Sequence, residues 1–148
     1  MVSAFEYILT HYGVVSSAIY PYKETEFPCR YNRTRTLNRI TSYMMIEPGD
    51  EVRLQQSLAK VGPISVAMHG TLESLYSYSS GVYYDEQCSD NLNHAVLLVG
   101  YGTDPKLGDY WLIKNSWGTQ WGEGGYLRLA RNRGNHCGIA NYIVYPIV

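Results

Sequence analysis

The sequence predicts an α+β protein, because the spacing of its apolar residues changes partway along the chain. Up to about residue 61 apolar positions recur at helical intervals in two short stretches. From Ile64 onward they fall into short β-branched and aromatic runs separated by glycines. With 148 residues and an apolar content of 45%, the chain is long enough for one domain, or for one domain and part of another.

Residues 3 to 12 place Ala4, Phe5, Ile8 and Tyr12 at helical spacing, with Ser3 as the cap and Gly13 as the stop. Residues 19 to 39 contain Pro21, Pro28 and many Asn and Thr without a sustained period, and read as an irregular connection. A strand over 40 to 46 ends at Glu47-Pro48-Gly49-Asp50. Asp50 then caps a helix in which Val52, Leu54, Leu58 and Val61 alternate with charges, and Gly62-Pro63 ends it. Strands follow at 64–68, 81–84, 94–101, 110–115, 125–130 and 142–145, with one helical turn over 72–78. Short strands punctuated by turn residues suggest a small antiparallel barrel or sandwich. The boundary is expected near 40 to 42, giving a sparse segment 1–42 and a barrel domain 43–148.

A formal charge of −1 with scattered Lys and Arg gives no basic stripe, which argues against nucleic acid or an anionic membrane surface as a partner. No apolar run approaches the length of a bilayer span, and Met1 leads directly into Val2-Ser3-Ala4 without the pattern of a signal peptide. Three cysteines, Cys29, Cys88 and Cys137, allow one disulfide and one leftover thiol. With fifteen tyrosines and the sequon Asn32-Arg33-Thr34, they favour a secreted or lysosomal protein over a cytosolic one.

The strongest chemical signal is the run from Asn93 to Gly102 followed by the run from Tyr110 to Gly118. Such a strand pair can present His94 to Asn115 for nucleophilic catalysis. A lone histidine on a strand is by default a core residue, as a lone tryptophan is, so the argument rests on the ensemble. Ala4-Phe5-Glu6-Tyr7, Tyr20-Pro21-Tyr22, Gly62 to Ala67, Gly81-Val82-Tyr83-Tyr84, Asn93-His94-Ala95-Val96, Asn115-Ser116-Trp117-Gly118, Trp121-Gly122, Gly125-Tyr126 and Cys137-Gly138-Ile139-Ala140 occur in one order. In these residues the chain resembles the papain family of cysteine peptidases, and more closely the cathepsin L, S and K group.

The resemblance implies a fragment of the papain-like fold: the antiparallel barrel of the right domain plus the helical remainder of the left. It implies that His94 is general base and acid for a cysteine thiolate, since imidazole titrates near neutral pH. Asn115 would orient its ring, Trp117 would shield that hydrogen bond, and Trp121 would wall the leaving-group side. Met1, Ala67, Leu92, Ala95 and Tyr142 align with the pocket that takes an apolar side chain two residues before the scissile bond. Cys88 and Cys137 align with a conserved bridge that would stabilise the barrel by about 4 kcal/mol in the chain-entropy model.

The family's nucleophile segment, Gln…Cys-Gly-Ser-Cys-Trp, has no counterpart in these residues. Cys29 aligns with a structural disulfide position and is expected unpaired. The implied activity is therefore that of a cysteine endopeptidase whose Cys and oxyanion Gln are absent here, so this chain alone is expected to be inactive. The alternative is a non-catalytic remnant that binds a peptide or an inhibitor. A zinc module built from Cys88, His94, His136 and Cys137 competes, but it lacks metal-binding spacings, so no metal is expected. No cofactor is implied. Expected partners are peptide or protein substrates and cystatin-like inhibitors or a propeptide, in a lysosomal or extracellular setting without membrane insertion. The Phe5, Ile8 and Tyr12 face is expected to be exposed and to limit stability.

Overall fold

The computed structural model describes residues 1–148 except Glu24. The chain divides into two compact units, residues 1–44 with 146–148, and residues 45–145.

The first unit begins with helix α1 (Val2–Thr10), whose N-cap is Met1 without a side-chain cap bond. Ser3 is therefore inside the helix and does not cap it: Ala4 N–H and Phe5 N–H already donate to the Met1 carbonyl at 3.0 and 3.4 Å. Gly13 N–H closes on Ile8 O at 2.8 Å. Within the stretch read as an irregular connection, or just before it, lie two short strands, β1 (Val14–Val15) and β2 (Thr36–Asn38), which pair antiparallel. Runs of two and three residues are too short to show alternation. Gly13 is required where they meet, since a Cβ there would overlap the Asn38 carbonyl. Gly13 is also the only buried residue among the described residues of 1–44. Phe5 and Ile8 are half-buried and Tyr12 is exposed. Phe5 stacks on Tyr43 at 6.0 Å and Tyr7 meets Tyr31 edge-on at 6.0 Å, so α1 keeps aromatic neighbours.

Strand β3 (Ser42–Ile46) leads into the second unit and helix α2 (Glu51–Val61). Asp50 caps α2, its carboxylate accepting from Arg53 N–H at 2.8 Å, and Gly62, at φ 84°, ends it. Of Val52, Leu54, Leu58 and Val61 only Leu54 and Leu58, four apart, are buried. Val52 is 62% exposed because it lies on the opposite face, and Val61, although in line with Leu54 and Leu58, is 40% exposed as the last residue of the helix.

The sheet is formed by β3, β4 (Ile64–Met68), β5 (Val82–Tyr83), β6 (His94–Asp104), β7 (Gly108–Lys114), β8 (Tyr126–Ala130) and β9 (Ile143–Ile147), with the single turn α3 (Glu73–Tyr76) before β5. Its strand order is β3-β9-β4-β6-β7-β8-β5. The ladders of β4, β6, β7 and β8 are antiparallel, as the short glycine-separated runs suggested. Edge strand β5 differs, pairing parallel to β8 through only two residues. Alternation along β4 buries Ile64, Val66 and Met68, and these meet Leu98, Trp111, Ile113, Leu127 and Leu129 in one core.

One carboxylate ties helix, sheet and a constrained loop together. Glu51, the first residue of α2, accepts from the buried Trp111 indole N–H at 2.9 Å, Asn132 N–H at 3.0 Å and Asn135 N–H at 2.9 Å. The loop it holds needs the help. Asn132, Asn135 and Cys137 have φ of 60°, 56° and 55°, a left-handed conformation that costs most residues about 1–2 kcal/mol and that Asn tolerates best. Glu51→Ala leaves three donors without their acceptor, at about 1–3 kcal/mol for each one that stays buried. We expect a loss of roughly 2–4 kcal/mol in all, read as a lower urea midpoint at unchanged m-value. A midpoint within experimental error of the parent protein contradicts the clamp.

Candidate active site

His94 opens β6, and three features fix it there. Met68 of β4 is its register partner, and Asn93 N–H donates to Met68 O at 3.2 Å. Asn93 Oδ1 accepts from Gly70 N–H at 2.8 Å, while its amide nitrogen donates to Thr71 Oγ1 at 3.1 Å. Gly70 itself packs against the imidazole so closely that a Cβ there would overlap His94. Gly70 and Thr71 were not evident as site residues in the sequence, since a glycine after a strand reads as a turn.

Asn115 follows directly on β7. Leu97 pairs with Lys114, so extending the ladder by one residue sets Asn115 opposite Val96. His94 is then the diagonal neighbour on the same face, within reach of a side-chain contact. His94 Nε2 lies 2.9 Å from Asn115 Oδ1. That oxygen also accepts from Ser116 N–H at 2.8 Å, which identifies it as the carbonyl end of the amide. A carbonyl cannot donate, so in this contact Nε2 carries the hydrogen. Nδ1 is left with its lone pair and no hydrogen-bond partner among the described residues.

An aromatic cluster walls one side of the imidazole. Trp117 stacks on His94 at 5.0 Å, Trp121 meets Trp117 edge-on at 4.9 Å, and the Trp121 indole N–H donates to the Leu75 and Tyr76 carbonyls at 3.1 Å each. Tyr76 stacks on the other side of Trp117 at 4.9 Å, a member of the cluster that a lone tyrosine on a short turn does not reveal. These rings pack against one face of the imidazole. A half-buried histidine with a fixed Nε2–H and an open Nδ1 can take up and return a proton on one side only.

The family model for papain family cysteine proteases matches residues 1–147. This chain belongs to that family. It is 50% identical to a cathepsin L-like protein of Caenorhabditis elegans, over all of the chain and 44% of that protein. It is 48% identical to mouse cathepsin S, over 99% of the chain and 43% of that protein. Among solved structures, the digestive procathepsin L2 proteinase of Tenebrio molitor larval midgut is similar at a TM-score of 0.92 and 41% identity, covering 98% of this chain and 46% of that one. The bromelain protease of Ananas comosus, solved in complex with the E64 inhibitor, is similar at 0.88 and 39%, covering 98% and 67%. The chain spans less than half the length of the curated relatives it matches.

Four of the residues expected to line a specificity pocket lie in the second unit. Ala67 and Ala95 are register partners across β4 and β6, Ala67 N–H donates to Tyr142 O at 3.0 Å, and Leu92 packs near Gly138, where an added Cβ would come within 2.8 Å of it. Met1 precedes α1 in the first unit.

Cys88 and Cys137 form a disulfide with Cα atoms 4.9 Å apart, and Cys29 is free and exposed. The metal alternative does not assemble as drawn. Ligand-type atoms of Cys88, His136 and Cys137 lie within 4.8 Å of one another, but the two sulfurs are bonded to each other and His94 is not in the group. His136 and His69 are both buried beside the disulfide. His136 Nε2 accepts from Asp85 N–H at 3.2 Å, and His69 Nδ1 accepts from Ser89 N–H at 3.1 Å.

Burial pushes the His136 imidazole below its ordinary range, opposed by the nearby Asp85 and Glu51 carboxylates. The unfolded chain then binds the proton more readily than the folded one. The stability His136 contributes is complete above about pH 6.5 and is lost as pH falls through the lower folded value. Asp85, held below the usual carboxylate range first by the Ser74 hydroxyl and then by Gln87 N–H, acts in a separate window below about pH 4. Urea midpoints should fall on acidification just below pH 6.5, and His136→Gln should flatten that slope. An unchanged slope in the variant removes His136 as its cause.

Proposed function

We propose that this chain supplies the histidine and the orienting asparagine of a cathepsin L/S-like cysteine endopeptidase, with the nucleophilic Cys and the oxyanion Gln contributed from outside these 148 residues. The observation that carries the reading is the 2.9 Å contact between His94 Nε2 and Asn115 Oδ1, with Nδ1 left open. In the reaction, the cysteine thiol gives its proton to Nδ1 and the thiolate sulfur attacks the peptide carbonyl carbon. The imidazolium returns the proton to the departing amine as the C–N bond breaks. Water, deprotonated in turn by His94, then hydrolyses the thioester. Asn115 is a positioning residue, Trp117 shields its bond to His94, and Trp121 forms the wall on the leaving-group side.

Small Ala67 and Ala95 give depth to an apolar specificity pocket that Leu92 and Tyr142 complete. Residues 43–148 act as the right domain and 1–42 as part of the left. The substrates are peptides or proteins, and the surface that takes them also receives a propeptide or a cystatin-like inhibitor. The setting is lysosomal or extracellular, where the Cys88–Cys137 bridge persists.

Residues 1–148 alone are inactive in this account, because Cys29 is the only free thiol and is not the nucleophile. The refolded chain should not turn over a dipeptidyl fluorogenic substrate. A protein carrying the family's Cys and Gln segment joined to this chain should do so, and His94→Ala in that protein should cost about 10²–10⁴-fold in kcat/KM. Turnover by the 148-residue chain that disappears in Cys29→Ser overturns the assignment.

A further inference from the structure

The motif left unused by the peptidase reading is Asn32-Arg33-Thr34. We propose that Asn32 is an N-glycosylation site, and that its glycan lies beside a groove of the first unit lined by Ile19, Tyr20, Arg30 and Arg35. The motif is the chain's only Asn-x-Ser/Thr sequence with a residue other than proline in the middle. Asn32, Arg33 and Thr34 are all exposed. Asn32 caps a short 3-10 turn: its Oδ1 accepts from Thr34 N–H at 3.0 Å and from the Thr34 hydroxyl at 2.8 Å. Its Nδ2 has no hydrogen-bond partner among the described residues. The nitrogen that would carry the glycan is open to solvent in the folded chain, so a glycan there is compatible with this local structure.

The other Asn-x-Ser/Thr-like sequence, Asn135-His136-Cys137, shows what an unsuitable site looks like. Asn135 is half-buried, its Nδ2 donates to Asn141 Oδ1 at 2.6 Å, its Oδ1 accepts from Ala140 N–H at 2.8 Å, and Cys137 is in the disulfide. A glycan on that nitrogen would displace the Asn141 bond in a half-buried loop.

The co-reactant is an oligosaccharide carried on a polyprenyl diphosphate, used by the transferase of the secretory pathway. Asn32 Nδ2 attacks the anomeric carbon, an N–C bond forms, the C–O bond to the diphosphate breaks, and polyprenyl diphosphate leaves while one amide proton is lost to a base of the transferase. Asn32 also borders a groove of about 340 Å3 lined by Val15, Ile19, Tyr20, Arg30 and Arg35. Ile19 and Tyr20 are 47% and 39% exposed, so a bulky hydrophilic group at the rim covers apolar surface that otherwise invites association.

Transfer occurs on the chain as it enters the lumen, before it folds, so the assay reads the sequon itself. The 148-residue chain behind a cleavable signal sequence is translated with endoplasmic-reticulum microsomes. The expected result is one glycan-sized mobility shift, removed by endoglycosidase H, abolished in Asn32→Gln and Thr34→Ala, and retained in Thr34→Ser and Asn135→Gln. An unshifted parent chain, or a shift that survives Asn32→Gln, overturns the proposal. Neither outcome bears on the peptidase reading, which that assay does not measure.

Discussion

The site depends on the register of the ladder between β6 and β7. Above the bulge, Leu97 pairs with Lys114 and Leu98 with Ile113; beyond it, Gly100 pairs with Leu112, so Val99 is the inserted residue. On the His94 side of that insertion the two strands run in a register that sets His94 and Asn115 diagonally on one face. The same register points towards Trp117 as the next residue across from His94, and the indole does stack there. A slip of one residue would turn every side chain to the opposite face of its strand and separate the pair. Burial of Leu98 and Ile113 on opposite sides of the ladder makes such a slip costly. The chemistry at one end of the strands is thus secured by apolar packing along their length.

That division explains which features could be read from the amino-acid order. Strand β4 was legible to the residue because Ile64, Val66 and Met68 alternate cleanly between a Gly-Pro stop and a glycine. Helix α2 was legible through Asp50 and Gly62, whose capping chemistry is local. His94 and Asn115 were legible as a pair because consecutive strands joined by a short turn are normally neighbours. Features set by residues distant in sequence were not. Glu51 looks like an ordinary first-turn acid, and its bonds reach 60 to 84 positions along the chain, to Trp111, Asn132 and Asn135. Gly70 makes room for a ring 24 positions away, and Tyr76 stacks on an indole 41 positions away. Ser3 misled for the opposite reason: a good capping residue type is no cap when the backbone before it is already helical.

The two units differ in how they are held. The second has a continuous apolar core from Leu54 to Val144, a disulfide, and ion pairs of Arg128 to Asp104 and Glu123 at 2.9 and 2.7 Å. The first has no buried side chain among its described residues up to Met44, and depends on the short ribbon, the Phe5–Tyr43 stack and a Thr41 N–H bond to Ile147 O at 2.7 Å. Ordering a residue's backbone costs about 1–2 kcal/mol, which half-buried side chains offset poorly. The His94–Asn115 pair therefore lies in the part of the chain best able to keep its geometry.

The direct test of this account is the tautomer of His94. With the protein labelled with 15N in its histidines and held above the pH at which imidazole titrates, long-range 1H–15N correlation spectra distinguish the protonated ring nitrogen from the bare one. The ladder register and the Asn115 carbonyl predict Nε2–H, with Nδ1 unprotonated, and predict that this preference weakens in Asn115→Ala. A dominant Nδ1–H form would mean that the asparagine does not hold the ring as described, and that the open lone pair faces the wrong side for proton transfer.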